Sequence, residues 1–262
     1  MRLLTLHMKR ALTLCLLAAG SQLAAQNSNS QPKKAPGFAA TKKAPDFEND
    51  QVVINPPQTP PWPGAGDPGT DIPKAITARF GVRNWHNHKL NRVIIRLQPG
   101  GERLNYMDGS TEVLKWQAGE VAWSPAAGFH YSDAHWSAGP GATSDYIAIK
   151  KPGYPGKVAG TALDPLRADP KDFKLEFENS QVRVLRLKVG PRQSVPMHEH
   201  ILSHVDVYLT EQNVRETSPG GKAEVMQHEI FDYSWNGPSK QKVDNLNDKP
   251  FEEVVVELKT IY

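Results

Sequence analysis

Three imidazoles crowd into the stretch Met197-His198-Glu199-His200-Ile201-Leu202-Ser203-His204. Side chains at i and i+2 on a strand share a face, so His198 and His200 point the same way. Together with His204 they form a candidate three-imidazole metal site, and imidazole suits Zn, Mn, Fe or Ni. Three protein ligands with an open position is the arrangement of a working metal centre rather than a closed structural one. Glu199 has the opposite parity and points away from the histidines. A run of alternating apolar residues follows, Val205-Asp206-Val207-Tyr208-Leu209. An unbroken strand would set all three histidines beside Asp206 and Tyr208, on the polar face. The expectation is a turn at Leu202-Ser203 that puts His204 on the next strand.

Around these residues the chain reads as all-β. Arg92–Leu97, Glu112–Trp116, Val121–Trp123 and Tyr146–Ile149 are strand candidates, separated by turn signals such as Met107-Asp108-Gly109 and Gly119-Glu120. Pro125 to His130 reads as a loop. The only helix candidate is Pro165-Leu166-Arg167-Ala168, in a linker. Closure into a double-sheet jelly roll or small barrel hides strand edges, which favours it over an open sheet.

The second half repeats the first. Phe177-Glu178-Asn179 echoes Phe47-Glu48-Asn49, and His198-x-His200 matches His86-x-His88. One ungapped register then aligns Leu202 with Leu90, Val205 with Val93, Gly221 with Gly109 and Trp235 with Trp123. Roughly ten identities over about forty positions are hard to obtain by chance. The Phe-Glu-Asn strands need another offset, supplied by a Pro-rich insertion from Pro56 to about Pro73. The expected organisation is a signal peptide (1–25), a flexible linker (26–45), one barrel (46–151), a linker (152–171) and a second barrel (172–262).

A duplicated barrel with His-x-His on one strand resembles the cupin superfamily, and the duplication resembles a bicupin. The resemblance covers the chain from about Phe47 to its end. In that family His-x-His, a following Glu and a later His bind one divalent metal inside each barrel. Here Gly190, His198 and His200 match the first motif, His204 stands at the Glu place, and Gln241 stands where the last His belongs. The resemblance thus implies His198, His200, His204 and Gln241 as the ligand set, with Gln241 as a weak oxygen donor. In the first half His86, His88 and His130 match, while Asn91 or Arg92 falls at the Glu place. That set forms a second, weaker cluster, because a nearby arginine repels a cation. What the resemblance implies is a small-molecule or divalent-metal binder. The alternatives are a metal-dependent enzyme (dioxygenase, isomerase or sugar-directed) and an interaction protein that has lost its metal. It also allows a homodimer through strand edges.

The remaining features set the address. Lys9 and Arg10 precede an apolar run from Ala11 to Gly20, with Ala24-Ala25 after it, which reads as a secretory signal. The expected location is secreted or periplasmic. The formal net charge of +3 includes Arg2, Lys9 and Arg10 of that leader. The mature chain is therefore near neutral, which excludes a nucleic-acid footprint. No later stretch is apolar enough for a membrane helix. Cys15 is the only cysteine and lies in the leader, so metal ligation falls to His, carboxylate and amide groups. His135 and His228 sit at no motif position and read as surface or structural residues. Trp123 and Trp235 read as barrel core.

Overall fold

Two asparagine turns show the repeat at the level of single atoms. Strands β1 (Phe47–Glu48) and β2 (Val52–Ile54) form a hairpin. The Asn49 side-chain oxygen accepts from the backbone N–H of Gln51 at 2.8 Å and of Val52 at 2.9 Å. Asn179 does the same between β10 (Phe173–Glu178) and β11 (Val182–Val189), accepting from Gln181 at 2.8 Å and Val182 at 3.0 Å. A short amide side chain that mimics a backbone turn explains why Asn stands at both places. Lysines follow the same symmetry. Lys150 Nζ donates to Glu48 at 2.7 Å and to the Asn49 carbonyl at 2.8 Å. Lys259 Nζ donates to Glu178 at 3.0 Å and to the Asn179 carbonyl at 2.7 Å.

The computed structural model describes residues 47–54, 85–137 and 144–260, and for Phe47, His86, Phe129 and residues 133–137 the backbone alone. The leader, the tether and the Pro-rich insertion lie outside the described residues. The first half continues with β3 (His86–His88), β4 (Asn91–Arg96), β5 (Gly100–Tyr106), β6 (Thr111–Trp116), β7 (Val121–Ser124), β8 (Ala127–Ser137) and β9 (Ser144–Ile149). A four-residue helix, α1 (Pro165–Ala168), follows, with Asp164 as its N-cap. The second half adds β12 (Ser194–His200), β13 (His204–Tyr208), β14 (Gln212–Thr217), β15 (Ala223–His228), β16 (Tyr233–Asn236), β17 (Ser239–Asn245) and β18 (Phe251–Leu258). Residues 127–130, read from sequence as loop, are the start of β8. Its pairing with β3 and β5 supplies the order that local composition did not signal.

Each half is a large sheet over a small one. The orders are β1-β2-β9-β4-β7 with β3-β8-β5-β6, then β10-β11-β18-β13-β16 with β12-β17-β14-β15. The two lists agree strand for strand. Gly109 and Gly221 hold the matching hairpin tips at φ 88° and 78°, a conformation that an L side chain resists.

The large sheets of the two halves pack against each other. Val93 and Ile95 of β4, with Ile147 and Ile149 of β9, form one buried cluster with Val205 and Val207 of β13 and Val254 and Val256 of β18. Trp123 and Trp235 pack against this shared cluster rather than inside either barrel, which corrects their reading as barrel core. Alternation does the rest. Since Val205 and Val207 face the other half, His204, Asp206 and Tyr208 face the interior of their own barrel. A second cluster, including Phe173, Leu187, Val195, Val243 and Phe251, fills part of that interior.

Candidate metal centre

The turn expected at Leu202-Ser203 is present, so β12 carries His198 and His200 and β13 carries His204. All three are between 1 % and 3 % exposed. Ring centres lie 5.3 Å apart for His198 and His200 and 4.6 Å apart for His200 and His204. Phe173 backs the first two, at 5.1 and 6.0 Å. Gln241 stands directly opposite His198 in the β12–β17 ladder and lines the same cavity.

Each ring is tied down at one nitrogen. His198 Nδ1 donates to the Pro196 carbonyl at 3.0 Å, His204 Nδ1 to the Leu202 carbonyl at 3.0 Å, and His200 Nδ1 to Glu257 at 2.8 Å. An acceptor at Nδ1 fixes the tautomer and leaves the Nε2 lone pair of the neutral ring for a ligand. Metal-bound histidines have this outer partner almost without exception. Burial first, then the neighbouring His200, pushes His198 down to about 4, so it is neutral across the physiological range. Glu257 is fully buried and bonded to Arg183, which also reaches Asp164 at 2.6 Å. Burial alone would raise Glu257; the hydrogen bonds from His200 and Arg183 outweigh it and hold the carboxylate below its usual value.

The cavity extends past the histidines to Asp206, Tyr208, Glu216, His228 and Glu253. His228 is half-buried and stacks on Tyr208, with ring centres 3.9 Å apart, so of the two readings, surface or structural, it takes the structural one. The interior face of β13 supplies the Tyr208 ring that covers it. Glu253, beside Gln212 Nε2 at 2.7 Å, is pushed up to about 8, by burial first and then by Asp206. Burial, then Asp206, also raises Glu216. Burial likewise raises the Tyr208 hydroxyl, which donates to Ser234 at 2.8 Å. Among the described residues, no lysine or arginine lines the cavity. Glu199 points outward, to Thr161 at 2.8 Å and Lys240 at 3.4 Å.

Glu253 and Glu257 were not singled out from sequence. Their signal is parity in Glu253-Val254-Val255-Val256-Glu257: the carboxylates take one face and Val254 and Val256 the other.

The first-half cluster is less complete. His86 and His130 are paired across β3 and β8, as His198 and Gln241 are across β12 and β17. His88 and His130 have ring centres 5.0 Å apart, and His130 Nδ1 donates to the Gly128 carbonyl at 2.9 Å. Arg92 holds the place of His204: it pairs with Ser124 and Ala148 where His204 pairs with Asn236 and Glu257. The side chains of His86 and His135 lie outside the described residues.

Two jelly rolls of identical strand order, joined through their large sheets and carrying His-x-His on matching strands, decide the architecture. The fold is that of a bicupin. Solved structures similar to it include a cupin domain from Bordetella pertussis, at 21% identity and TM-score 0.32, over 34% of this chain and 92% of that one. AerE from Microcystis aeruginosa is similar at 12% identity and TM-score 0.44, over 66% and 80%. Oxalate decarboxylase OxdC from Bacillus subtilis, in an R92A mutant, is similar at 12% identity and TM-score 0.43, over 68% and 66%. No protein-family model matches this chain, and no curated protein does.

The donor chemistry of the second barrel suits a divalent metal: three buried imidazoles, each with Nδ1 engaged. As they stand, no three His, Cys, Asp or Glu side chains among the described residues converge tightly enough to hold an ion.

Proposed function

We propose that this bicupin is an exported binding protein whose second barrel takes a divalent metal ion on Nε2 of His198, His200 and His204, with Gln241 as a weak fourth donor. The observation that supports this is the set of three Nδ1 hydrogen bonds, which orient three buried rings in one cavity. Neutral His198 needs no deprotonation to bind. Glu257 holds the His200 ring in place through its Nδ1–H, an outer contact expected to strengthen metal binding. Phe173 and Phe251 line the cavity and exclude water on the apolar side. When bound, the metal would supply Lewis acidity or a redox centre to a small molecule at its open position.

The decisive measurement is the metal content of untagged protein purified without chelator. Stoichiometric Zn, Mn, Fe or Ni that disappears in His198→Ala/His200→Ala supports the reading; wild-type protein that neither contains nor binds any of these ions ends it.

A metal-dependent enzyme is the second reading, and Glu253 favours it. A carboxyl pushed up to about 8 in the cavity that the imidazoles also line is suited to take and return a proton near neutral pH. Metal-loaded protein that turns over any of a panel of acids and sugars, with turnover lost in Glu253→Gln, separates enzyme from binder.

A further inference from the structure

The two barrels carry interiors of opposite charge. The inner face of β4 presents Arg92, Ile94 and Arg96 where β13 presents His204, Asp206 and Tyr208. Carboxylates change with them: Ser144 and Ala148 of β9 stand where β18 has Glu253 and Glu257. Copying has kept even the stacking position. The Arg96 guanidinium lies over the Trp116 ring at 3.7 Å, where Tyr208 stacks on His228 in the other copy.

These arginines have few partners among the described residues. Arg96 is 6 % exposed, and among the described residues its guanidinium makes one side-chain hydrogen bond, to Ser144 Oγ at 3.1 Å. Arg92 lies over Tyr146 at 5.1 Å and donates to Ser124 Oγ at 3.3 Å. Its Nε is buried with no acceptor among the described residues. Neither makes an ion pair with a described residue. Glu102, the carboxylate whose charge reaches Arg92, accepts from Ser132 at 3.2 Å instead. Burying a cation without a counter-ion is costly, and the usual remedy is an anion held in the same low-dielectric space. The planar fork of a guanidinium matches the oxygen pair of a carboxylate or phosphate.

We propose that the first barrel binds a small oxyanion, a carboxylate or phosphate, between Arg92 and Arg96. It is a site separate from the imidazole cavity of the second barrel, where no described cationic side chain would hold an anion.

The test is calorimetry and thermal melting of the full chain with sodium phosphate and sodium acetate, against sodium chloride at matched ionic strength. Saturable binding of either anion to wild-type protein is expected, with a rise in melting temperature that follows saturation. Arg92→Gln should weaken it by roughly tenfold to a hundredfold. In chloride this variant should melt at the wild-type temperature or above, because it removes a half-buried charge that has no ion pair with a described residue. Should Arg92→Gln not fold, Arg96→Lys keeps the charge and loses the fork; weaker anion binding by that folded variant supports the site. The proposal is overturned if neither anion binds the wild type saturably, or if the folded variant binds as tightly as the wild type.

Discussion

His200 Nδ1 and the Glu257 carboxylate lie 2.8 Å apart, both almost fully buried, and this contact ties the imidazole cluster to a charged network. Arg183 bonds Glu257 from the far side and reaches Asp164, the N-cap of α1. Removing Glu257 strands the Arg183 guanidinium beside Asp164 alone and frees the His200 ring. Glu257→Ala should cost about 3–5 kcal/mol of stability in chemical denaturation. Glu257→Gln keeps an acceptor and is milder on the fold. Its effect should appear in metal titration, as affinity lower by about 10- to 100-fold. Unchanged affinity would detach Glu257 from the binding role.

Two groups of the same cavity tilt the pH–stability profile in opposite directions. His198 has its folded value pushed down to about 4, against an ordinary 6.5. As pH falls from 6.5 toward 4 the unfolded chain takes a proton that the folded one refuses, and stability drops. Glu253 is pushed up to about 8 from 4.5. As pH rises from 4.5 toward 8 the unfolded chain ionises while the folded carboxyl stays protonated, and stability drops again. Metal-free Glu253→Gln should therefore lose the alkaline limb of the profile, and His198→Gln the acid limb. Urea midpoints measured from pH 4 to 9 read both slopes; limbs that survive these substitutions would assign the titration to other groups.

The repeat, the all-β reading and the His198, His200 and His204 cluster are legible in the sequence, because period-two alternation and a shared register survive in it. What does not show is which side of a strand faces what. Val205 and Val207 cover the other half, and the more polar residues of β13 line the barrel. Packing between copies reverses the usual equation of apolar face with own interior. That one reversal hid Glu253, Glu257 and the partner of His228. Glu257 becomes meaningful only when β18 is known to lie beside β13, a contact between distant parts of the chain.

The shared cluster joins the two halves, which are therefore expected to unfold as one cooperative body. Ile95 of β4 is fully buried and packs in the same cluster as Val205 and Val256 of the other half. Ile95→Ala should lower stability by about 2–5 kcal/mol. Melting followed by tryptophan fluorescence should remain a single transition, shifted as a whole. A split in which one transition keeps the wild-type midpoint would show that the second half does not depend on this contact.

Lys150 and Lys259 offer a matched experiment inside one molecule. Both donate to the Glu and the Asn carbonyl of their own turn. Their surroundings differ: Lys259 is fully buried and packs against Tyr154, whereas the Lys150–Glu48 pair is open to water. An exposed pair contributes at most about 1 kcal/mol, because solvent screens it and the long side chains lose entropy. In a buried pair, loss of one partner leaves the other charged and dry, at about 3–5 kcal/mol. Lys150→Met should hardly move the denaturation midpoint, and Lys259→Met should move it strongly. Equal effects of the two substitutions would mean that burial does not set the worth of this contact, and that the turn geometry common to both copies does.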